Sequence, residues 1–275
     1  MRGWPLLSVV AATMAAFVPQ ARADESPVRD ELYRSQAIVT GQGEANRIPG
    51  LAECLRQVLV KVSGDPRLLT SPEVEPLLAE AGRHVSSFRY RDRLEGIPIH
   101  DEQGTYDRPH DLYCYYKPAT VDALLAGLGR RPWLDERPRL VVFLGARDAR
   151  RTFSLASDGE ESPYMAESLL DAASPLAMSL TLPPGAALNA AGLDFGTIAG
   201  TPTETLDAVA RSLGGDRALA GTISWSDGDR GWVAEWRIGD GAGEHRWTIR
   251  GVSFDDAFRN AVRGAAQILS GNGEP

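Results

Sequence analysis

The chain has 275 residues, of which 43% are hydrophobic, 24% charged and 7% aromatic. These proportions are typical of a globular protein with one or two cores, and they exclude a disordered, fibrous or disulfide-dense chain. Acidic residues outnumber basic ones 37 to 29, and Lys61 and Lys117 are the only lysines. We therefore expect no nucleic-acid partner, because such proteins carry clustered basic charge.

Residues 1–23 have the three-part pattern of a secretory signal peptide. Arg2 supplies the positive start, residues 5–18 are apolar, and the stretch from Ala21 to Ala23 is an A-x-A cleavage site. The apolar run, about 14 residues, is shorter than the ~20 residues of a membrane-spanning helix. The sequence thus predicts cleavage after Ala23, although a retained membrane anchor is the alternative. No cysteine lies near the cleavage site, so we expect a soluble periplasmic protein that is not a lipoprotein and is not stably inserted in a membrane.

Apolar periodicity predicts an α+β domain over residues 24–130. The predicted elements are strands at 32–40, 85–93 and 111–117 and helices at 47–62, 71–81 and 121–128. Gly64 is expected to end the first helix, since glycine is favoured just after a helix C-terminus.

Two prolines and alternating charges at 131–139 predict a linker to a C-terminal α/β domain at 140–270, followed by a tail at 271–275. The run LVVFL at 140–144 predicts a strand buried on both faces. A polar loop is expected at 147–161, with elements at 162–173 (helix), 178–182 (strand) and 201–213 (helix). The helix at 201–213 is expected to begin with a capping box of Thr201 and Glu204.

The C-terminal part of this domain is predicted to be a three-strand meander at 217–225, 231–238 and 244–250, followed by an amphipathic helix from Ser253 to about residue 268. The fold class is therefore α+β or α/β, with two mixed units, each a small sheet covered by helices.

Cys54 and Cys114 are the only cysteines. Cys54 lies on the apolar stripe of the first helix, and Cys114 shares a strand face with Leu112 and Tyr116, so both sulfurs are expected to point into the core. An oxidising compartment favours a disulfide between them, and the alternative is two buried thiols acting as small apolar side chains. A bond closing a loop of about 60 residues would stabilise the fold by roughly 4 kcal/mol.

The segment 100–111 holds the densest set of candidate metal ligands or acid–base groups: His100, Asp101, Glu102, Asp107 and His110, followed by Asp111. Such a set can bind a divalent cation or transfer protons if the loop folds inward. The spacing matches neither a calcium loop nor H-E-x-x-H, and a polar segment between strands is usually a solvated turn. Ion pairs with nearby arginines at 89, 91, 93 and 108 are a second interpretation.

Other motifs are weak. The turn GQGEAN at 41–46 lacks the full dinucleotide pattern, and no G-x-S-x-G motif occurs, so we expect no cofactor and no catalytic residues. Trp225, Trp232, Trp236 and Trp247 fall in the predicted meander. They are interpreted as core beneath the last helix, with a glycan- or peptide-binding face as the alternative.

Three blocks together resemble a known family: LRQVLVKVSGDPRLL from residue 55, FRYRDRLEGIPIHDEQGTYDRPHDL from residue 88, and LGRRPW from residue 128. They are similar to the exported bacterial proteins of the domain-of-unknown-function 2066 family. Because that family has no established activity, the resemblance implies location and fold only.

The stretch from residue 207 to residue 238, DAVARSLGGDRALAGTISWSDGDRGWVAEWRI, resembles the helix-then-strands unit of envelope proteins such as the amino-terminal domain of TolB and the curli-secretion lipoprotein CsgG. By analogy it implies a module that binds other proteins. The leading hypothesis is thus a non-enzymatic protein-interaction module of the cell envelope with an unidentified partner. Its rivals are a metal-dependent hydrolase using the 100–111 loop and the tryptophan-face binder.

Overall fold

The computed structural model describes residues 27–97 and 107–275. The described helices are α1 (Pro27–Leu32), α2 (Glu44–Ser63), α3 (Glu75–Ala79), α4 (Pro118–Gly127), α5 (Pro163–Asp171), α6 (Gly185–Ala190), α7 (Phe195–Ile198), α8 (Thr203–Ser212) and α9 (Phe254–Leu269). The strands are β1 (Arg34–Thr40), β2 (Ser87–Asp92), β3 (Pro109–Tyr115), β4 (Arg139–Arg147), β5 (Thr152–Ser154), β6 (Ser179–Thr181), β7 (Arg217–Ser226), β8 (Gly231–Gly239) and β9 (Glu244–Val252). The expected α+β class is confirmed. The predicted leader lies outside the described residues.

The first sheet is antiparallel with strand order β1-β3-β2. Side chains of β1 alternate between exposed and buried, as expected of a strand with one covered face. Helix α2 covers that face. At Gly50 its backbone lies so close to the sheet that a Cβ would stand 2.5 Å from Val39 and 2.8 Å from Leu112, which leaves room only for glycine. Gly64 directly follows α2, and its φ of +70° is the left-handed conformation expected of a glycine that ends a helix.

The second sheet has six strands in the order β5-β4-β7-β8-β9, with β6 also paired to β4. β4 runs parallel to β7, and β7, β8 and β9 form the predicted antiparallel meander. All residues from Leu140 to Ala146 are buried, which is why this strand reads as a continuous apolar run.

Helices cover both faces of the six-stranded sheet. On one face α9 packs on β8 and β9, and the apolar residues of α9 share one core with Trp236 and Ile238. On the other face α7 and α8 pack on β4 and β7 over a separate core that includes Phe143, Ile198 and Leu206. The core beneath α9 is continuous with the core beneath α2, so the two sheets share one apolar interior.

Several local predictions are wrong. The segment 147–161 was expected to be only a loop, but it contains β5, whose three residues are too few for a periodic signal. The predicted helix at 71–81 contains only the five-residue α3 between two 3-10 turns. The capping box at Thr201 is absent, since α8 begins at Thr203 and the Thr201 hydroxyl donates to the Thr197 carbonyl at 2.9 Å.

The connector at 131–139 contacts both α2 and the segment that follows α5. The Trp133 amide donates to the Val62 carbonyl at 2.7 Å. The Arg137 guanidinium stacks on the Trp133 ring at 4.4 Å, donates to the Lys61 carbonyl at 2.6 Å, and also donates to the Leu176 carbonyl. Burial lowers the pKa of Arg137 to about 10. The connector therefore fixes α2 against the segment after α5, while the division into domains stays a prediction.

Candidate interaction groove

The two cysteines are joined as a disulfide, which is the first of the two alternatives left open by the sequence. Cys54 on α2 and Cys114 on β3 have Cα atoms 6.2 Å apart and are separated by 60 residues. Both are fully buried. The bond ties the covering helix to the central strand of the three-stranded sheet.

Of the candidate metal or acid–base residues, His100, Asp101 and Glu102 lie outside the described residues. Asp107 is exposed and lies so close to Gly41 that a Cβ there would stand 2.6 Å from Asp107 Cγ. His110 is buried on the α2 side of β3, with Nδ1 2.8 Å from the Arg108 carbonyl and Nε2 3.1 Å from the Gln42 side-chain nitrogen. The structure therefore shows both His110 ring nitrogens in local contacts.

Asp111 points from β3 to the opposite face and is held by basic and amide groups. Gln36 Nε2 donates to its Oδ1 at 2.9 Å, and the Arg91 and Arg93 guanidinium nitrogens lie 3.1 and 3.5 Å from its carboxylate oxygens. Within residues 27–97 and 107–275, no three His, Cys, Asp or Glu side chains are grouped as metal ligands would be. Asp111 therefore forms ion pairs with arginines, as the second interpretation of this segment predicted.

The four tryptophans of the meander differ in exposure. Trp236 and Trp247 are buried beneath α9, where the Trp236 ring centroid is 6.3 Å from that of Phe258 and Trp247 Nε1 donates to Asn260 at 3.1 Å. Trp225, 43% exposed, meets the Trp232 ring edge-to-face at 5.8 Å where β7 turns into β8. Two of the four rings thus belong to the core.

Two large concave features lie elsewhere, where the two sheets meet. A cavity of about 670 Å³, here called the helical cavity, lies between α2, α5 and α9. Its volume is in the range of small-molecule and cofactor pockets in proteins. The apolar part of its lining consists of Val60, Leu69, Leu176 and Phe254.

Charged and aromatic side chains also line the helical cavity. Tyr164 at the start of α5 is 76% exposed. Arg263 of α9 is partly buried and forms no hydrogen bond or ion pair with any described residue. Burial and the positive charge of Arg259 lower its pKa, although the nearby carboxylates of Asp256 and Glu53 oppose that shift. Glu167 and Asp171 of α5 add negative charge. An exposed tyrosine beside an apolar lining and a half-buried arginine has the residue chemistry of a protein-binding hot spot.

A second cavity of about 790 Å³, here called the strand cavity, lies along β1. Glu53, Gln57, Asp171 and Pro175 line both cavities. The two therefore form one continuous feature, which we call the inter-sheet groove. Grooves at such junctions are favoured positions for binding sites.

Lys61 lies in the wall of the strand cavity and is buried. Its Nζ donates to the Arg34 carbonyl at 2.8 Å and lies 3.5 Å from the Glu31 carbonyl. Burial, reinforced by the positive charges of Arg137 and Arg34, lowers the pKa of Lys61 to about 8. The ammonium group thus satisfies a main-chain carbonyl at the start of β1.

Local sequence patterns did not predict this groove. One signal was present, because Glu53, Gln57 and Lys61 recur at intervals of four and therefore lie along one side of α2 as a polar stripe. The opposite wall comes from α5 and α9, more than 100 residues away in the chain. Pattern analysis within one helix cannot identify that wall.

Residues 28–134 match a family described as a domain of unknown function, DUF8605. This region contains the three-stranded sheet, α2 and both cysteines. The match confirms the coarser expectation of an unknown-function domain, but it is not to the 2066 family and does not reach the TolB-like stretch. No curated protein and no solved structure matches the chain. Among the described helices, none has both the length and the apolar character required to cross a membrane.

Proposed function

We propose that this protein is exported to the bacterial periplasm and acts there by binding another protein of the cell envelope in the inter-sheet groove. The signal-like pattern at 1–23 supports export to that compartment. The resemblance of the meander and its preceding helix to TolB-type and CsgG-type modules supports a binding role.

The observation that carries the proposal is the composition of the groove. Its helical cavity combines an apolar lining with the exposed Tyr164 ring and the partly buried Arg263 guanidinium, which forms no hydrogen bond or ion pair with the residues that the structure describes. Tyrosine and arginine are enriched among residues that dominate binding energy at protein interfaces, where they pack beside apolar pockets ringed by polar groups. A protein partner fits this arrangement because apolar pockets, tyrosine and arginine are the features that recur at the centres of protein interfaces.

Site-specific crosslinking in intact cells tests the proposal. A photoreactive phenylalanine replaces Tyr164 in the full-length protein, and the matched control carries it at Trp225, which is also exposed but lies at the β7–β8 turn. We expect a discrete adduct from position 164 in the periplasmic fraction and none from position 225. Glu167→Arg, an exposed charge reversal in the groove, should weaken the adduct at least about fivefold.

Equal adducts from both positions, or an adduct at 164 that Glu167→Arg leaves unchanged, would contradict the groove as the binding surface. Recovery of the intact precursor in the cytosol would contradict export. Thermal unfolding of each purified variant establishes that the substitutions leave the fold intact.

A further inference from the structure

The two edges of the three-stranded sheet differ in charge. In β2 the side chains of Arg89 and Arg91 alternate with aromatic residues, and Asp92 ends the strand. β1 has the sequence RSQAIVT, with no charged residue after Arg34 and with Ile38 61% exposed. Edge strands of natural proteins are commonly protected by charge, proline, bulges or short length. β1 is seven residues long, pairs with β3 in unbroken register, and has none of these protections beyond its first residue.

Hydrogen-bond parity identifies which main-chain groups of β1 face outward. The Gly41 amide donates to the Arg108 carbonyl at 2.7 Å, and the Tyr116 amide donates to the Tyr33 carbonyl at 2.9 Å. Since paired residues of an antiparallel ladder alternate, the odd-numbered residues of β1 bond to β3. The N–H and C=O groups of Gln36 and Ile38 therefore point away from the sheet, where no described strand pairs with them.

This open edge lies inside the strand cavity. Five consecutive residues at 34–38 line that cavity, as do Asp171, Ser174 and Pro175 from the neighbouring unit. The Arg34 carbonyl already accepts from Lys61 Nζ, so free pairing positions begin at Gln36. The cavity thus presents a length of unpaired strand bounded by side chains on its far side.

We propose that β1 binds an extended segment of the partner protein as a fourth strand of this sheet. The inference rests on the proposed function in one respect only, namely that the partner is a protein. The added strand would bond through its main chain to Gln36 and Ile38, which is the mode known as strand addition. Specificity would come from its alternating side chains.

The surroundings of the edge define the chemistry of that segment. Side chains on the outer face would lie beside Ile38, which favours apolar residues there. Side chains on the other face would point toward α2, where the half-exposed Glu53 carboxylate lies 4.0 Å from Arg56 and accepts from Gln57 at 2.8 Å. They would also point toward Asp171, which forms no ion pair with any described residue. Basic residues at those alternate positions complement these carboxylates. The expected partner segment is therefore extended, with apolar and basic residues in alternation.

A second copy of this chain fits the edge less well. Two β1 strands would have to approach each other directly to pair, yet each lies in a groove with Ser174 and Pro175 on its far wall. A single extended segment needs only the width of one strand, about 4.8 Å between neighbouring strands.

The probe is a capped, fluorescein-labelled hexapeptide of alternating lysine and valine, added to the mature protein. Fluorescence anisotropy measures binding, and hydrogen exchange measures protection of the β1 amides. A control peptide carries N-methyl groups on alternate residues, which remove donors without changing side chains. The variant Ile38→Lys adds a guarding charge to the β1 edge, and the matched control Phe88→Lys adds the same charge to the β2 edge.

We expect the peptide to bind and to slow exchange at Gln36 and Ile38, with at least a tenfold loss of affinity for the N-methylated peptide and for Ile38→Lys, and less than a twofold change for Phe88→Lys. The inference is overturned if the peptide does not bind, if N-methylation has no effect, or if both lysine variants weaken binding equally. Adduct formation at position 164 together with any of these results would leave the proposed function standing and remove strand addition.

Discussion

The two sheets of the molecule are covered to different extents. The six-stranded sheet has helices on both faces, and its edge strands are either three residues long, as in β5 and β6, or carry charged side chains, as in β9. The three-stranded sheet is covered by α2 on one face only, and its other face carries Tyr113 and Tyr115 with Arg89 stacked on both rings. The second sheet thus has little surface left to offer, whereas the first keeps an open face and an open edge.

This difference has an energetic counterpart. A sheet covered on both faces buries more apolar area than a small sheet covered on one face, and it therefore gains more stability from packing. The three-stranded sheet compensates with the Cys54–Cys114 bond and with the Asp65 carboxylate, which accepts from Arg67 and Arg130. Burial raises the pKa of Asp65, but those hydrogen bonds outweigh burial and hold the pKa below its ordinary value. The three-stranded sheet therefore has one uncovered face, and the disulfide and the Asp65 ion pairs stabilise the region around it.

The largest expected effect tests that reinforcement. Replacing both cysteines, Cys54→Ala with Cys114→Ala, should lower the free energy of unfolding by about 4 kcal/mol, because the open loop regains conformational entropy in the unfolded chain. Urea unfolding followed by circular dichroism measures the change. A reductant should lower the stability of the natural protein by a similar amount and leave the double variant unaffected. A loss below about 1 kcal/mol would mean that packing alone holds this sheet.

The next prediction concerns the coupling of the two sheets. Arg137→Met keeps an apolar stem but removes the donors to the Lys61 and Leu176 carbonyls, so unfolding should become easier by about 2 kcal/mol. Arg131→Met, at an exposed position of the same connector, should change stability by less than about 0.5 kcal/mol. Urea unfolding of both variants makes the comparison. Equal effects would show that Arg137 does not couple the units.

The sequence predicted elements with strong local patterns and missed features made by distant residues. The buried strand β4 and the amphipathic α9 were predictable because their apolar patterns are long and regular. β5 has three residues and α7 has four, too few for a period to be recognised. The short helix α6 likewise has only six residues.

The candidate site was less predictable than the fold. The pairing of Cys54 with Cys114 was one of two open alternatives, because spacing alone does not show whether two sulfurs meet. The inter-sheet groove depends on how α5 and α9 lie against α2, and such packing follows from tertiary contacts rather than from local sequence. The open edge of β1 could be described only once strand order was known, since edge and central strands of small sheets share the same alternation.

The smallest expected effect concerns the C-terminal unit, where stability should depend on pH through His245. Its Nδ1 lies 2.5 Å from Glu274 and its Nε2 lies 3.0 Å from Asp240, and these two carboxylates raise the pKa of His245 above its ordinary value. Because the folded state binds the proton more tightly, this stabilisation is fully present below the unfolded pKa of about 6.5 and is lost as pH rises through the higher folded value. The partly exposed pairs should contribute about 1 kcal/mol or less.

Urea unfolding of the natural protein and of His245→Asn measures this contribution as the difference between their stabilities. That difference should be larger at pH 5.5 than at pH 9, because only the protonated imidazole attracts both carboxylates. Glu274→Gln leaves Asp240 as the single partner and should reduce the pH-dependent part by roughly half. A difference that is the same at both pH values would mean that the C-terminal tail is held by neutral contacts, such as the bond from Gln267 Nε2 to the Glu274 carbonyl, rather than by charge.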